Sequence, residues 1–236
     1  MTRDPLHGSS WSNPDTVAGF SQSPPNDVLM RYAAAELRRP GARHLLDVGC
    51  GAARNALPLA AMGWCVLGLD LSWPMVQAAR ARATSEGVED RVRVALAPME
   101  ALPVRDRSID LVVAHGIWNL ASSGAQFRTA VHQAARACRQ GAGLFVFTFS
   151  RNTFGPEVEP VAGESFVYTA FSGRPQCFLT AAQLIAELAA EGFVPDPAVP
   201  LTEYNLPERG TLRTGGPPVI YEAAFRWTGA PSSSTR

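Results

Sequence analysis

The chain has 236 residues, 46% of them hydrophobic, enough for one large α/β domain with a full core. Its 21 basic and 21 acidic residues cancel and are scattered, which argues against the clustered cations of a nucleic-acid groove. Every basic residue is arginine, so lysine Schiff-base chemistry is excluded, and the four spread cysteines carry no C-x-x-C pair that would suggest a disulfide framework or a zinc site.

Residues 1–26 read as an irregular polar arm with two large apolar groups, Trp11 and Phe20. The arm has no apolar signal core, and no stretch reaches the ~20 apolar residues needed to span a bilayer; a cytoplasmic protein is expected. Asp27 is placed to cap a helix from Val28 to about Arg38, stopped by Pro40-Gly41. A first strand follows at His44–Val48, then a helix from about Arg54 to Met62 and a second strand at Cys65–Leu69. Ser72 caps the next helix, with Pro74 in its first turn. Strands are expected at Arg91–Leu96, Ile109–Ala114 and Leu144–Phe149. The helix between the last two starts at Ser122 or Ser123 and closes at Gly141. Near-continuous apolar strands separated by helices indicate a doubly wound parallel sheet. The loop-rich segment 151–180 holds Phe154, Phe166, Tyr168 and Phe171. Thr180-Ala-Ala-Gln183 then opens a capped helix ended by Gly192. A strand near Phe193 and a strong strand Val219–Trp227 complete the pattern, leaving a domain over 27–228 and a tail 229–236 expected to be disordered.

The chemistry concentrates in Leu45-Leu46-Asp47-Val48-Gly49-Cys50-Gly51 and in Asp70, at the end of the next strand. Glycines at 49 and 51 admit a ligand close to the backbone, and amides at the start of the following helix can meet an anionic group. A carboxylate at the tip of the neighbouring strand suits ribose hydroxyls. A dinucleotide site would want a third glycine where Arg54 stands, and Asp47 beside a pyrophosphate would be repelled. Those two acids fit a cofactor carrying an ammonium and a sulfonium.

The D-x-G-x-G pattern resembles motif I of the class I S-adenosylmethionine (AdoMet)-dependent methyltransferases. Leu67-Gly68-Leu69-Asp70-Leu71-Ser72 resembles their motif II, and Ser108-Ile109-Asp110-Leu111-Val112 the approach to their fourth strand. Gly51-Ala52-Ala53-Arg54-Asn55-Ala56-Leu57 looks like the form found among tellurite-resistance-like and related small-molecule methyltransferases. The resemblance implies a Rossmann-like, mostly parallel seven-stranded sheet with helices on both faces, a small substrate cap and an antiparallel strand near one edge. It implies AdoMet as cofactor, held by Asp47, Gly49, Cys50, Gly51, Arg54, Asn55, Asp70 and Leu71. Arg54 either pairs with the cofactor carboxylate or is a solvated first-turn residue. Two departures stand out. The third glycine of motif I is Ala53, and the acid that would read the adenine amino group is replaced in Ala97-Pro98-Met99-Glu100. Either Glu100 substitutes, or the Met99 backbone reads the base while Pro98 and Met99 pack on its face; the second is preferred.

His115, at the end of the fourth strand, is a candidate general base, a cofactor or substrate contact, or a structural hydrogen-bonding group. Trp11, Phe20, Trp118 and Tyr168 are candidate walls of an acceptor pocket. The function expected is methyl transfer to O, N or S of a small molecule, with neither nucleic acid nor membrane as partner. The alternatives are an NAD(P)-dependent reductase and a non-catalytic AdoMet-binding protein. Oligomeric state is not legible.

Overall fold

The computed structural model describes residues 4–206 and 216–229; the expected disordered tail lies, except for Gly229, outside the described residues. The central sheet runs in the order β3-β2-β1-β4-β5-β10-β8. Its members are β1 (His44–Val48), β2 (Cys65–Asp70), β3 (Val92–Leu96), β4 (Ile109–His115), β5 (Cys138–Phe149), β8 (Phe193–Pro195) and β10 (Ile220–Trp227). The first five pair in parallel, and β10 runs antiparallel to both β5 and β8. A further short strand, β9 (Thr202–Tyr204), pairs with β10 and makes the sheet eight-stranded. The hairpin of β6 (Val167–Tyr168) and β7 (Gln176–Cys177) stands apart from it in segment 151–180.

Alternation along the strands sorts side chains onto two faces. Val112 and Ala114 of β4 and Leu144 and Val146 of β5 join a core beneath α5 (Gly124–Ala137) and α6 (Ala181–Ala190). Leu111, Val113 and Phe145 join the opposite core. It is covered by α2 (Asp27–Leu37), α3 (Ala56–Ala61) and α4 (Trp73–Ser85). Helices on both faces of parallel strands give the doubly wound arrangement, with ligand-binding crevices outside the carboxyl ends of the strands.

Several boundaries move for identifiable reasons. The arm is not irregular: Asn13 caps α1 (Pro14–Gln22), accepting from the Asp15 N–H, with Pro14 in the first turn, where its missing N–H costs nothing. Asn26, not Asp27, caps α2, accepting from the Leu29 N–H at 2.8 Å. Ser72, Ser123 and the Thr180–Gln183 capping box cap their helices. The helix α5 ends at Ala137 rather than Gly141, because Cys138 already pairs with Ile109. The β4–β5 register then shifts before Gly143 meets Leu111, and Gly141 takes a positive φ of 75° within that irregularity. Among the described residues no helix is long and apolar enough to cross a membrane, and no group of His, Cys, Asp and Glu could hold a metal.

Candidate functional site

The crossover from β1 to α3 makes a tight turn in which Gly49 and Gly51 take φ of +72° and +55°, a region open to glycine at little cost. A Cβ on Gly49 would lie 2.8 Å from the Ile117 side chain, so that position is closed to larger residues twice over. Ala53 also takes a positive φ, of 63°, so the backbone absorbs the missing third glycine as strain on an alanine.

The amides of this turn are already committed. The Leu69 carbonyl accepts from the N–H groups of Gly49 at 2.7 Å and Cys50 at 3.0 Å, and Asp70 Oδ2 accepts from the Gly51 N–H at 2.8 Å. These three bonds fasten the turn to β2. Asp70 Oδ1 accepts from the Ser72 N–H at 2.8 Å. Burial raises the Asp70 carboxyl above the ordinary carboxylate range, although these amides pull the other way. Each carboxylate oxygen keeps a second lone pair for a ligand.

A cavity of about 510 Å³ opens over the ends of β1, β2 and β4. Gly49, Gly51, Asp70, Leu71, Met99, Glu100 and His115 line it, as do Trp11 and Phe20 from the arm. The arm is seated on the start of α4. Asp4 Oδ1 accepts from the Trp73 N–H at 3.0 Å, and Ser72 Oγ donates to the Trp11 carbonyl at 2.9 Å. The Trp11 and Phe20 rings meet at 5.7 Å. The nearest atoms to a Cβ built on Gly51 would be Phe20 Cδ1 and Met75 Sδ. These two aromatics therefore cover the glycine turn and Asp70, on the expected cofactor side of the crevice.

Asp47 lies just below the cavity rather than on its wall, and its Oδ2 is buried without a hydrogen-bond partner. Burial, with the nearby Asp70 charge, pushes its carboxyl up to about 7, while Arg54 opposes the shift. An orphaned, buried carboxylate costs free energy unless a donor or cation arrives. Arg54 Nη2 sits 3.2 Å from His115 Nδ1. His115 Nε2 lies 3.3 Å from Asn26 Nδ2, which also donates to Glu222 Oε1 at 2.6 Å. A neutral imidazole accepts at one nitrogen only, so the two donors compete for it. Its ring stacks on Phe147 at 4.1 Å, and burial beside the guanidinium lowers its pKa to about 3. In this ligand-free geometry both ring nitrogens face donors, which leaves no free lone pair on His115 for a general base.

Other expectations shift as well. The Asn55 side-chain oxygen accepts from the Asn26 N–H at 3.0 Å and so ties the turn to α2. The Cys50 thiol donates to the Gly51 carbonyl and packs against Gly68, leaving only the Cys50 backbone near the cavity. Pro98 is half-buried and off the cavity wall, whereas Met99 and Glu100 are on it; Glu100 Oε1 accepts from Gln126 Nε2 at 3.1 Å. Trp118 is 1% exposed, edge-on to Phe127 in the core, so it is no pocket wall. Tyr168 is excluded likewise, buried among Phe154 and Phe178 under the Arg151 guanidinium.

What segment 151–180 contributes to the cavity is mostly polar: Ser172, Arg174 and Pro175 from the turn between β6 and β7, and Gln176 at the start of β7. The Ser172-Gly173-Arg174-Pro175 run carries a plain turn signal, which marks the tip but not the crevice it overhangs. Asn26, Met75, Ile117 and Gln126 had no motif to mark them.

Residues 45–141 match the family model described as a methyltransferase domain. Among curated proteins the chain is similar to the methyltransferase GfsG of Streptomyces halstedii, 32% identical over 113 residues, which cover 48% of this chain and 40% of that one. The first curated relatives are matched over 18% to 58% of their own length. Among solved structures, an S-adenosylmethionine-dependent methyltransferase of Methanosarcina mazei superimposes with a TM-score of 0.68 at 18% identity, over 86% of this chain and 98% of that one. The [4+2]-cyclase SpnF superimposes with a TM-score of 0.59 at 25% identity, over 74% and 59%. With its motifs in order on the strand ends that the sheet topology requires, the chain carries over residues 45–141 the methyltransferase domain that this family model describes.

Proposed function

We propose that the protein transfers a methyl group from AdoMet to a small-molecule acceptor. The observation that carries this reading is the pairing of Asp47, buried with an unpartnered oxygen, and Asp70, facing the cavity at the end of the neighbouring strand. Two acids at this crevice would repel a diphosphate, and they suit a ligand bearing an ammonium, a sulfonium and a ribose. Asp70 would accept from the ribose hydroxyls, Asp47 would face the amine, and Arg54 would leave His115 for the ligand carboxylate. Met99 would pack on the adenine, with its backbone and Glu100 as the polar contacts. When bound, AdoMet supplies the methyl electrophile, so the chain's task is to position the acceptor and exclude water.

A cavity of about 510 Å³, roofed by the arm and the β6–β7 hairpin, suits a small ligand rather than a polymer. The SpnF likeness means that the fold alone does not fix the reaction, which makes a chemical readout decisive. Incubation with methyl-labelled AdoMet and a metabolite extract should place label in a small molecule. Stabilisation by AdoMet with no label transferred would leave a pure binder, and stabilisation by NADH in place of AdoMet would end the reading.

A further inference from the structure

We propose that the acceptor binds as an anion, with a carboxylate or an acidic phenolic or enolic oxygen held by the Arg174 guanidinium at the β6–β7 hairpin. This deepens the methyl-transfer reading and rests on it. Among the residues that line the cavity, the formal charges are those of Asp70, Glu100 and Arg174. Both acids already have partners: Asp70, at the end of β2, accepts from the Gly51 and Ser72 amides, and Glu100, in the loop after β3, takes the Gln126 amide. Arg174 comes from a different part of the chain, the turn between β6 and β7. Its backbone is tied down, because Ser172 Oγ accepts the Arg174 N–H at 3.4 Å and donates to Gln176 Oε1 at 2.7 Å. The Gly173 N–H is held by the Thr169 carbonyl at 2.8 Å. Its guanidinium has no hydrogen-bond or ion-pair partner among the described residues, so a full set of donors is free beside the cavity. The flanking Gln176 adds an amide on the same wall.

The chemistry of the site points the same way. A neutral hydroxyl acceptor would need a base. Once Arg54 turns to the ligand carboxylate, Asn26 Nδ2 still faces His115 Nε2, and a neutral ring that accepts there carries its proton on Nδ1 and offers a donor, not a base. An anionic oxygen needs no base. It forms the new bond to the methyl carbon while the carbon–sulfur bond breaks, and that electron pair stays on sulfur. One negative and one positive charge are neutralised together, and no proton has to leave. A guanidinium is the side chain best suited to hold such an oxygen, through paired N–H donors.

The test is calorimetric titration of the full chain, saturated with S-adenosylhomocysteine, using benzoate, benzamide and benzylamine as matched probes. Benzoate should bind, Arg174→Ala should weaken it at least tenfold, and Arg174→Lys should recover part of the loss. The two other probes should be indifferent to either change. Affinity for S-adenosylhomocysteine should stay within twofold in Arg174→Ala, a substitution at an exposed position. The proposal is overturned if benzoate does not bind, if benzylamine is preferred, or if Arg174→Ala leaves benzoate binding intact. A loss of S-adenosylhomocysteine binding in Arg174→Ala would assign the guanidinium to the cofactor and equally overturn it. Failure of the parent protein to bind S-adenosylhomocysteine would instead remove the methyl-transfer reading beneath it.

Discussion

Arg54 Nη2 and His115 Nδ1 face each other at 3.2 Å, and neither group has another charged partner within hydrogen-bonding distance among the described residues. The guanidinium is desolvated there, which lowers its pKa, so it is a cation waiting for an anion. Arg54→Gln should weaken AdoMet binding by about 2 kcal/mol, roughly 30-fold, the usual worth of hydrogen bonds to a charged group. His115→Asn should cost less, and it should leave the shape of the pH–rate profile unchanged between pH 5 and 8. A wild-type limb near pH 6.5 that vanishes in His115→Asn would restore the base that the geometry denies.

Asp47 and His115 give opposite pH signatures. The Asp47 carboxyl is raised to about 7, so between about pH 4 and 7 the unfolded chain binds fewer protons and stability falls as pH rises. His115 is lowered to about 3, so the folded state refuses a proton that the unfolded one takes below about 6.5, and stability rises with pH over that window. In the ligand-free protein the two slopes oppose each other. Asp47→Asn should expose the rising slope and His115→Asn the falling one, in melting temperatures from pH 4 to 7. Binding of a ligand ammonium beside Asp47 requires the carboxylate, so AdoMet affinity should drop as pH falls below about 7. Asp47→Asn should flatten that dependence; an unchanged slope would separate Asp47 from the ligand.

How far the sequence reveals this site depends on how local each part is. The strands β1, β2 and β4 and the turn at Gly49–Gly51 are encoded within a few residues each, by apolar runs and by glycines at positive φ, so their readings stand. The α1 helix is hidden in the sequence because Asn13 and Pro14, a cap and an N1 proline, sit in a segment whose composition looks like a tail. Trp118 and Tyr168 are ambiguous in the sequence because a tryptophan after a strand and a tyrosine in a loop look alike whether they face a crevice or a core. Only the packing of Phe127 or Arg151 against them decides it. The contact between Asn26 and His115 spans 89 residues and Asn26–Glu222 spans 196, and no local pattern announces either.

Asp70 combines two tasks, and one substitution tests both. It fastens the turn through the Gly51 amide and α4 through the Ser72 amide, and it faces the cavity. Asp70→Ala should weaken AdoMet binding by about 2 kcal/mol or more and lower the melting temperature of the ligand-free protein as well. Asp70→Asn, which keeps an acceptor oxygen, should recover part of the stability but little of the affinity. Binding within twofold of the parent in Asp70→Ala would contradict the ribose assignment.

The arm, finally, is placed to govern the cofactor more than the acceptor. Asp4 accepts from the Trp73 N–H at the start of α4, where a carboxylate also meets the positive end of the helix dipole. Ser72, whose own amide is held by Asp70, binds the Trp11 carbonyl. The latch and the ribose-side carboxylate thus share one short loop, and Trp11 and Phe20 roof the glycine turn. Deleting residues 1–24 stops short of Asn26, so the α2 cap and its links to Glu222 and His115 survive, and the sheet should fold. AdoMet should then dissociate at least tenfold faster and turnover should fall. Asp4→Asn should give a weaker version of the same change, because it loses charge but keeps an acceptor. Stopped-flow displacement of AdoMet from the truncated and parent proteins measures this directly. Equal off-rates would mean that the arm merely rests on α4 and restrains nothing beneath it.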